Sequence, residues 1–203
     1  QLPTQGIGEW CHPLLTAEID DSGLRSLVKD NMYKTSLGIP FRVMKEGNNI
    51  AYTSLWDNYP DMVKVPLSGK ASHAYLLLVG STNHMQCRIA NGIVRVYYTD
   101  GTSEVLELVN PDNWCPIEQD FYLDDFAFDA PRPHPYRFHL KTGIVSRDLG
   151  KALKLRGSAD RRFEGGAGVM LDIPLDKNKT LKELTLETVA NDVVIGLMSV
   201  TLQ

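Results

Sequence analysis

Long apolar runs are scarce in this chain of 203 residues. The longest, Ala74–Gly80, falls well short of the roughly 18 residues that a bilayer-spanning helix needs, so no membrane span is expected. Cysteine is equally sparse, with Cys11, Cys87 and Cys115 as the full set. Any single disulfide would leave one thiol over, and no CxxC spacing is present. That argues against a cysteine-built metal centre and favours thiols buried as small hydrophobes. An excess of positive charge is also missing. The formal net charge is −4, whereas nucleic-acid binders present a basic face, so no nucleic-acid partner is expected. The opening Gln1-Leu2-Pro3-Thr4 lacks the basic start and apolar block of a secretory signal, as a mature or trimmed chain would.

Catalytic signatures are absent too. His12, His73, His84, His134 and His139 are scattered, with no HxH or HExxH spacing. His134 and His139 stand five positions apart, a weak metal pair that a surface strand explains as well. Gly165-Gly166-Ala167-Gly168 is glycine-rich but lacks a following GK[ST] and reads as a turn before a strand. There is no GxSxG, and Arg161-Arg162 reads as a solvated basic spot. No catalytic residue, metal ligand or cofactor is therefore assigned. The oxygen-rich stretches around Asp57, Asn58 and Asp61 and around Glu118, Asp120, Asp124 and Asp125 are compatible with a structural calcium ion, without any EF-hand pattern.

What the chain does contain is short strands punctuated by turns. Tyr75-Leu76-Leu77-Leu78-Val79, ended by Gly80, reads as a strand buried on both faces. Ile93–Thr99 alternates, Asp100-Gly101 supplies a tight hairpin turn, and Ser103–Val109 returns with glutamates between hydrophobes. Asn91-Gly92 suggests a second turn that pairs Met85–Ala90 with the 93–99 strand. Further strands are expected at Phe41–Met44, Asn49–Leu55, Gly168–Pro174, Leu181–Thr188 and Val193–Leu202, with Gly196 as a bulge or close backbone approach. Asp20–Val28 suits a short helix or turn capped by Asp21 or Ser22. The prolines between 111 and 135 make that span a long loop insert. No repeat or linker divides the chain, so one domain over 1–203 is expected, with residues 1–20 as an N-terminal arm. The pattern implies an all-β, antiparallel two-sheet sandwich.

Two loops combine large rings with acids and amides. One is Leu55-Trp56-Asp57-Asn58-Tyr59-Pro60-Asp61. The other runs from Asp112 through Trp114 and Tyr122 to Asp125. Rings can stack on the C–H face of a sugar while polar side chains hydrogen-bond its hydroxyls. Trp56, Tyr59, Trp114 and Tyr122 are the candidate platforms. Asp57, Asn58, Asn83, His84 and Arg137 are the candidate hydrogen-bonders. The competing reading puts Trp56 and Trp114 in the sandwich ends as core plugs. Loop carboxylates among Glu118, Asp120, Asp124 and Asp125 could form a glycosidase pair only at a separation of about 5–5.5 or 6.5–9.5 Å.

Gly38-Ile39-Pro40-Phe41, Lys70–Leu78, Val94–Thr102 and the closing strands 181–202 together resemble galactose-binding-like jelly-roll domains. The stretch Gly80–Gln86 is similar to proteins of gut Bacteroidetes that sit among glycan-degradation enzymes, some described as glycoside hydrolases. The resemblance implies a galactose-binding-like jelly roll in a secreted, periplasmic or cell-surface protein. The first expected function is a non-catalytic carbohydrate-binding or accessory domain, with a glycan or the catalytic domain of the same longer protein as partner. A structural sandwich packing on a catalytic domain, or a glycoside hydrolase using loop carboxylates, are the alternatives.

Overall fold

The computed structural model describes residues 19–56, 59–82, 86–118, 120, 133–156 and 162–203. A helical turn α1 (Ser22–Ser26) precedes the small hairpin β1 (Met32–Lys34) and β2 (Pro40–Arg42). The strands β3 (Ala51–Ser54), β5 (His73–Thr82), β8 (Tyr136–His139), β9 (Val145–Ser146), β10 (Ala167–Pro174) and β12 (Val193–Leu202) form one sheet in the order β3-β12-β5-β10-β8-β9. A second sheet holds β4 (Met62–Pro66), β6 (Ala90–Tyr98), β7 (Ser103–Val109) and β11 (Leu181–Thr188) in the order β4-β11-β6-β7. A short helix α2 (Leu149–Ala152) follows β9, with Asp148 Oδ1 accepting from Lys151 N at 3.2 Å as its cap. Every strand pair in both sheets is antiparallel. The expectation of an all-β, two-sheet antiparallel body holds.

The six-stranded sheet is covered on both faces. Leu76, Leu78, Val169, Leu171, Val193 and Ile195 meet Val94, Val96, Leu108, Leu184 and Leu186 of the second sheet in one core. On the opposite face, Leu77, Val79, Phe138, Met170 and Met198 pack on Leu24 of α1 and on Tyr33, Phe41 and Val43 of the hairpin region. Side chains alternate across a strand, so only a strand buried on both sides can carry a continuous apolar run. That is why Leu76-Leu77-Leu78-Val79 is uninterrupted, while β6, half-exposed on its outer face, alternates buried Val94, Val96 and Tyr98 with half-buried Arg95 and Tyr97.

The β6–β7 hairpin closes at the expected Asp100-Gly101. Tyr98 N donates to Thr102 O at 2.9 Å, and Asp100 Oδ1 accepts from the backbone and hydroxyl of Thr102 at 2.9 and 2.6 Å. The second expected turn is corrected: Asn91-Gly92 lies inside β6, and Gln86–Ile89 is a turn with a single bridge from Cys87 to Asn110. Met85 lies outside the described residues. Asn91 is wholly buried; its Oδ1 accepts from Thr82 Oγ1 at 2.6 Å and its Nδ2 donates to Gln86 O at 2.8 Å. The amide ties the chain where it crosses from one sheet to the other, and the strand bulges there between Ala90 and Gly92. In β12 the bulge falls between Leu197 and Ser199. Gly196 is instead a close approach, since a Cβ there would meet the Tyr52 ring at 2.9 Å.

The helix expected within Asp20–Val28 forms, but Asp21 at its N-cap makes no capping hydrogen bond; Asp20 Oδ1 takes the Ser22 N–H at 3.0 Å. The second sheet ends in two unlike edges. β4 carries Lys64 and Pro66 on exposed positions, and β7 carries Glu104 and Glu107 beside exposed Val105. One end of the sandwich is plugged by Trp114, whose ring lies over Gly80: a Cβ there would sit 2.5 Å from its Cη2 and 2.2 Å from Val194 O. Gly80→Ala is therefore expected to lower stability by about 1–3 kcal/mol through overpacking. Urea denaturation measures this, and an unchanged midpoint would contradict the packing described.

Candidate functional site

Strand β8 pairs with β10 only over Ala167–Met170. Beyond Met170, β10 continues along β5 to Pro174, with no strand on its other side among the described residues. Where β8 stops, a cleft of about 560 Å³ opens, within the range of small-ligand sites. Alternation along β10 sends Leu171 towards the inter-sheet core and Met170 and Asp172 to the outer face. The cleft therefore wraps the strand edge, with Leu106 from β7 on one side and Ile39 and Leu37 of the β1–β2 hairpin on the other.

Polar groups and rings stand on this apolar floor. The guanidinium of Arg147 lies over the Tyr136 ring, with Cζ 4.1 Å from its centroid. Arg147 Nη1 also donates to the His134 carbonyl. Asp172 Oδ1 is bonded to His73 Nδ1 at 2.8 Å, and the His73 ring stacks on Tyr75 with centroids 5.7 Å apart. Burial and the Asp172 charge push the Tyr75 phenol above its ordinary range, so it stays a neutral hydroxyl. Asp112 Oδ1 accepts from Arg88 Nη1 at 2.7 Å. Asn113 is committed to the loop itself: its Oδ1 accepts from Val109 N and its Nδ2 donates to Glu107 O, both at 2.8 Å.

The expected platforms separate. Trp56 and Tyr59 occupy the turn between β3 and β4, both half-buried, with ring centroids 6.3 Å apart at 59°. Tyr59 N donates to Trp56 O at 3.0 Å. Neighbouring Tyr52 has its phenol pushed up to about 12, mainly by burial and then by Tyr59 and Asp21. Trp114 is corrected: it is 0% exposed, in the core cluster between the sheets, and presents no face to a ligand. Its indole Nε1 has no hydrogen-bond partner among the described residues. Arg137 is corrected as well. It is 1% exposed, donates from Nη2 to the carbonyls of Pro116 and Ala167 at 3.0 and 2.8 Å, and lies over Phe163. It braces the loop after Asn110 against β10 rather than reaching for a ligand. Asp57, Asn58, Asn83, His84 and Tyr122 lie outside the described residues, as do Asp124 and Asp125. Glu118 and Asp120 are buried.

The first loop cluster stands away from the cleft. Ser54, at the end of β3, pairs through Val194 with the Ser81 end of β5, whereas the cleft opens at its Tyr75 end. Six residues of strand separate them, about 20 Å. Among the described residues of the second cluster, Asp112 and Asn113 reach the cleft. Tyr75, Tyr136, Arg147 and Asp172 went unnoticed as site residues. The usable signal was Asp172, a charge in an otherwise apolar strand, and Tyr75, a hydroxyl at the head of an aliphatic run.

Comparison of the chain with protein-family models, curated proteins and solved structures returns no match. The functional reading therefore stands on the geometry. Among the described residues, no three His, Cys, Asp or Glu side chains converge as a metal-binding group.

His139, one of the histidine pair, is buried and doubly bonded, through Nε2 to Glu164 O at 2.7 Å and Nδ1 to Thr142 Oγ1 at 2.9 Å. Burial holds its imidazole below the ordinary 6.5, against the opposing pull of the Glu164 carbonyl. The unfolded chain then binds the proton first, so stability falls as pH drops below about 6.5 and is fully present above it. His139→Gln is expected to flatten the pH 5–7 part of a thermal-midpoint profile. A slope equal to that of the unmodified chain would contradict a neutral, buried His139.

Proposed function

We propose that this chain is a non-catalytic glycan-binding sandwich, the accessory domain of a glycan-degrading protein that acts as a secreted, periplasmic or cell-surface component. The observation that carries this reading is the cleft at the β10 edge. It combines two tyrosine rings, an apolar floor and side-chain carboxylates in one concavity of small-ligand size. Flat rings suit the C–H faces of a pyranose, and carboxylates accept from its hydroxyls. The chain's path also supports a galactose-binding-like jelly roll. It switches sheets between β3 and β4, β4 and β5, β5 and β6, β7 and β8, and again on either side of β11, and such alternation is how double-sheet jelly rolls are wound.

The half-buried Trp56–Tyr59 turn is a second ring pair, about 20 Å along the strands from the cleft. Calorimetry and nuclear magnetic resonance titration with an oligosaccharide panel distinguish the two. Tyr136→Ala is expected to weaken binding about tenfold, a contribution of order 1 kcal/mol from one ring, with Trp56→Ala leaving it unchanged. The reverse outcome moves the site to the β3–β4 turn. No binding of any oligosaccharide at millimolar concentration overturns the proposal.

A further inference from the structure

On the glycan reading of the cleft, we infer that it selects uncharged or amine-bearing sugars and rejects carboxylated ones. The polar atoms of the cleft differ in how far they are already committed. Asp112 and Asp172 each use Oδ1, for Arg88 and His73 respectively, and no hydrogen bond to either Oδ2 exists among the described residues. Their side chains are 30% and 46% exposed, so a ligand can reach both. The donors are differently placed. Asn113 spends its amide oxygen and one of its two amide N–H groups on the loop backbone. Arg147, the one guanidinium among the described lining residues, is stacked on Tyr136 and gives one N–H group to the His134 carbonyl. Tyr75 and Tyr136 offer single hydroxyls. Side-chain acceptor capacity therefore faces the cleft, while its lining cation is held against a ring.

A hydroxyl or ammonium donates to a carboxylate, and the charged hydrogen bond is stronger than a neutral one. A uronate carboxylate brings only acceptors to the same place and meets charge of its own sign. The effect is local and screened, since both aspartates are partly solvated.

The test is an array of neutral, glucosamine-type and uronate-type oligosaccharides of matched length, followed by calorimetry on those that bind. Neutral or amine-bearing members are expected to bind at least about tenfold tighter than uronates, one charged hydrogen bond's worth. The preference should narrow as salt is raised. In the double variant Asp112→Asn, Asp172→Asn, the ratio should fall towards one. Both aspartates sit in exposed ion pairs that contribute little to stability, so the variant keeps its fold and its thermal midpoint reports this. Uronates binding as tightly as neutral sugars, or a ratio unmoved in the double variant, overturn the inference and leave the glycan reading standing. Silence across the array overturns both.

Discussion

Burying one sheet on both faces is the constraint from which the rest of the molecule follows. The six-stranded sheet has the second sheet beneath it and the α1–hairpin layer above it. Its central strand must then be apolar at consecutive positions, as Leu76-Leu77-Leu78-Val79 is. Each face contributes about 25 cal/mol per Å² of apolar surface withdrawn from water. A two-sided strand thus concentrates stabilisation in few residues. It also leaves the Leu76–Val79 stretch of β5 without a free face for a ligand. Recognition is pushed to places where the double cover stops.

The β10 edge is such a place. Strand β8 covers only half of β10, and the cover on either side is supplied by elements from distant parts of the chain. The cleft is a by-product of unequal strand lengths, and its lining comes from the β1–β2 hairpin, β5, β7, β8, β10 and the segments around Asp112, Pro133 and Arg147. Each polar group in it is held by a neighbour: Asp172 by His73, Asp112 by Arg88, Tyr136 by Arg147. Such pairs restrict rotamers before a ligand arrives, which reduces the ordering cost of binding.

This origin explains what the sequence made legible. The β6–β7 hairpin was readable because its signals are local: period-two patterning on both arms and Asp100-Gly101 between them. Asn91-Gly92 carries the same local turn signal, yet its amide is spent on Thr82 and Gln86 at a sheet crossing. That role depends on a neighbouring strand that no local pattern reveals. Trp56 and Trp114 stand in similar polar surroundings along the chain, but one lies half-buried on a turn and the other is sunk over Gly80. Arg137 alternates onto the inner face of β8, where a cation is not expected, because the carbonyls of Pro116 and Ala167 await it there. The cleft was hidden for a simpler reason: where β8 ends relative to β10 is a matter of register between segments some thirty residues apart.

The unlike edges of the second sheet bear on how copies of this chain behave when crowded together. Two β7 edges meeting would set Glu104 and Glu107 of one copy along a seam with those of the other, and like charges resist the zipper. A β4 edge would attract β7 electrically through Lys64, but Pro66 has no N–H to give to the ladder. Charge blocks one mode of sheet growth and backbone chemistry interrupts the other. The sandwich can thus leave exposed Val105 on its rim without inviting a fibre.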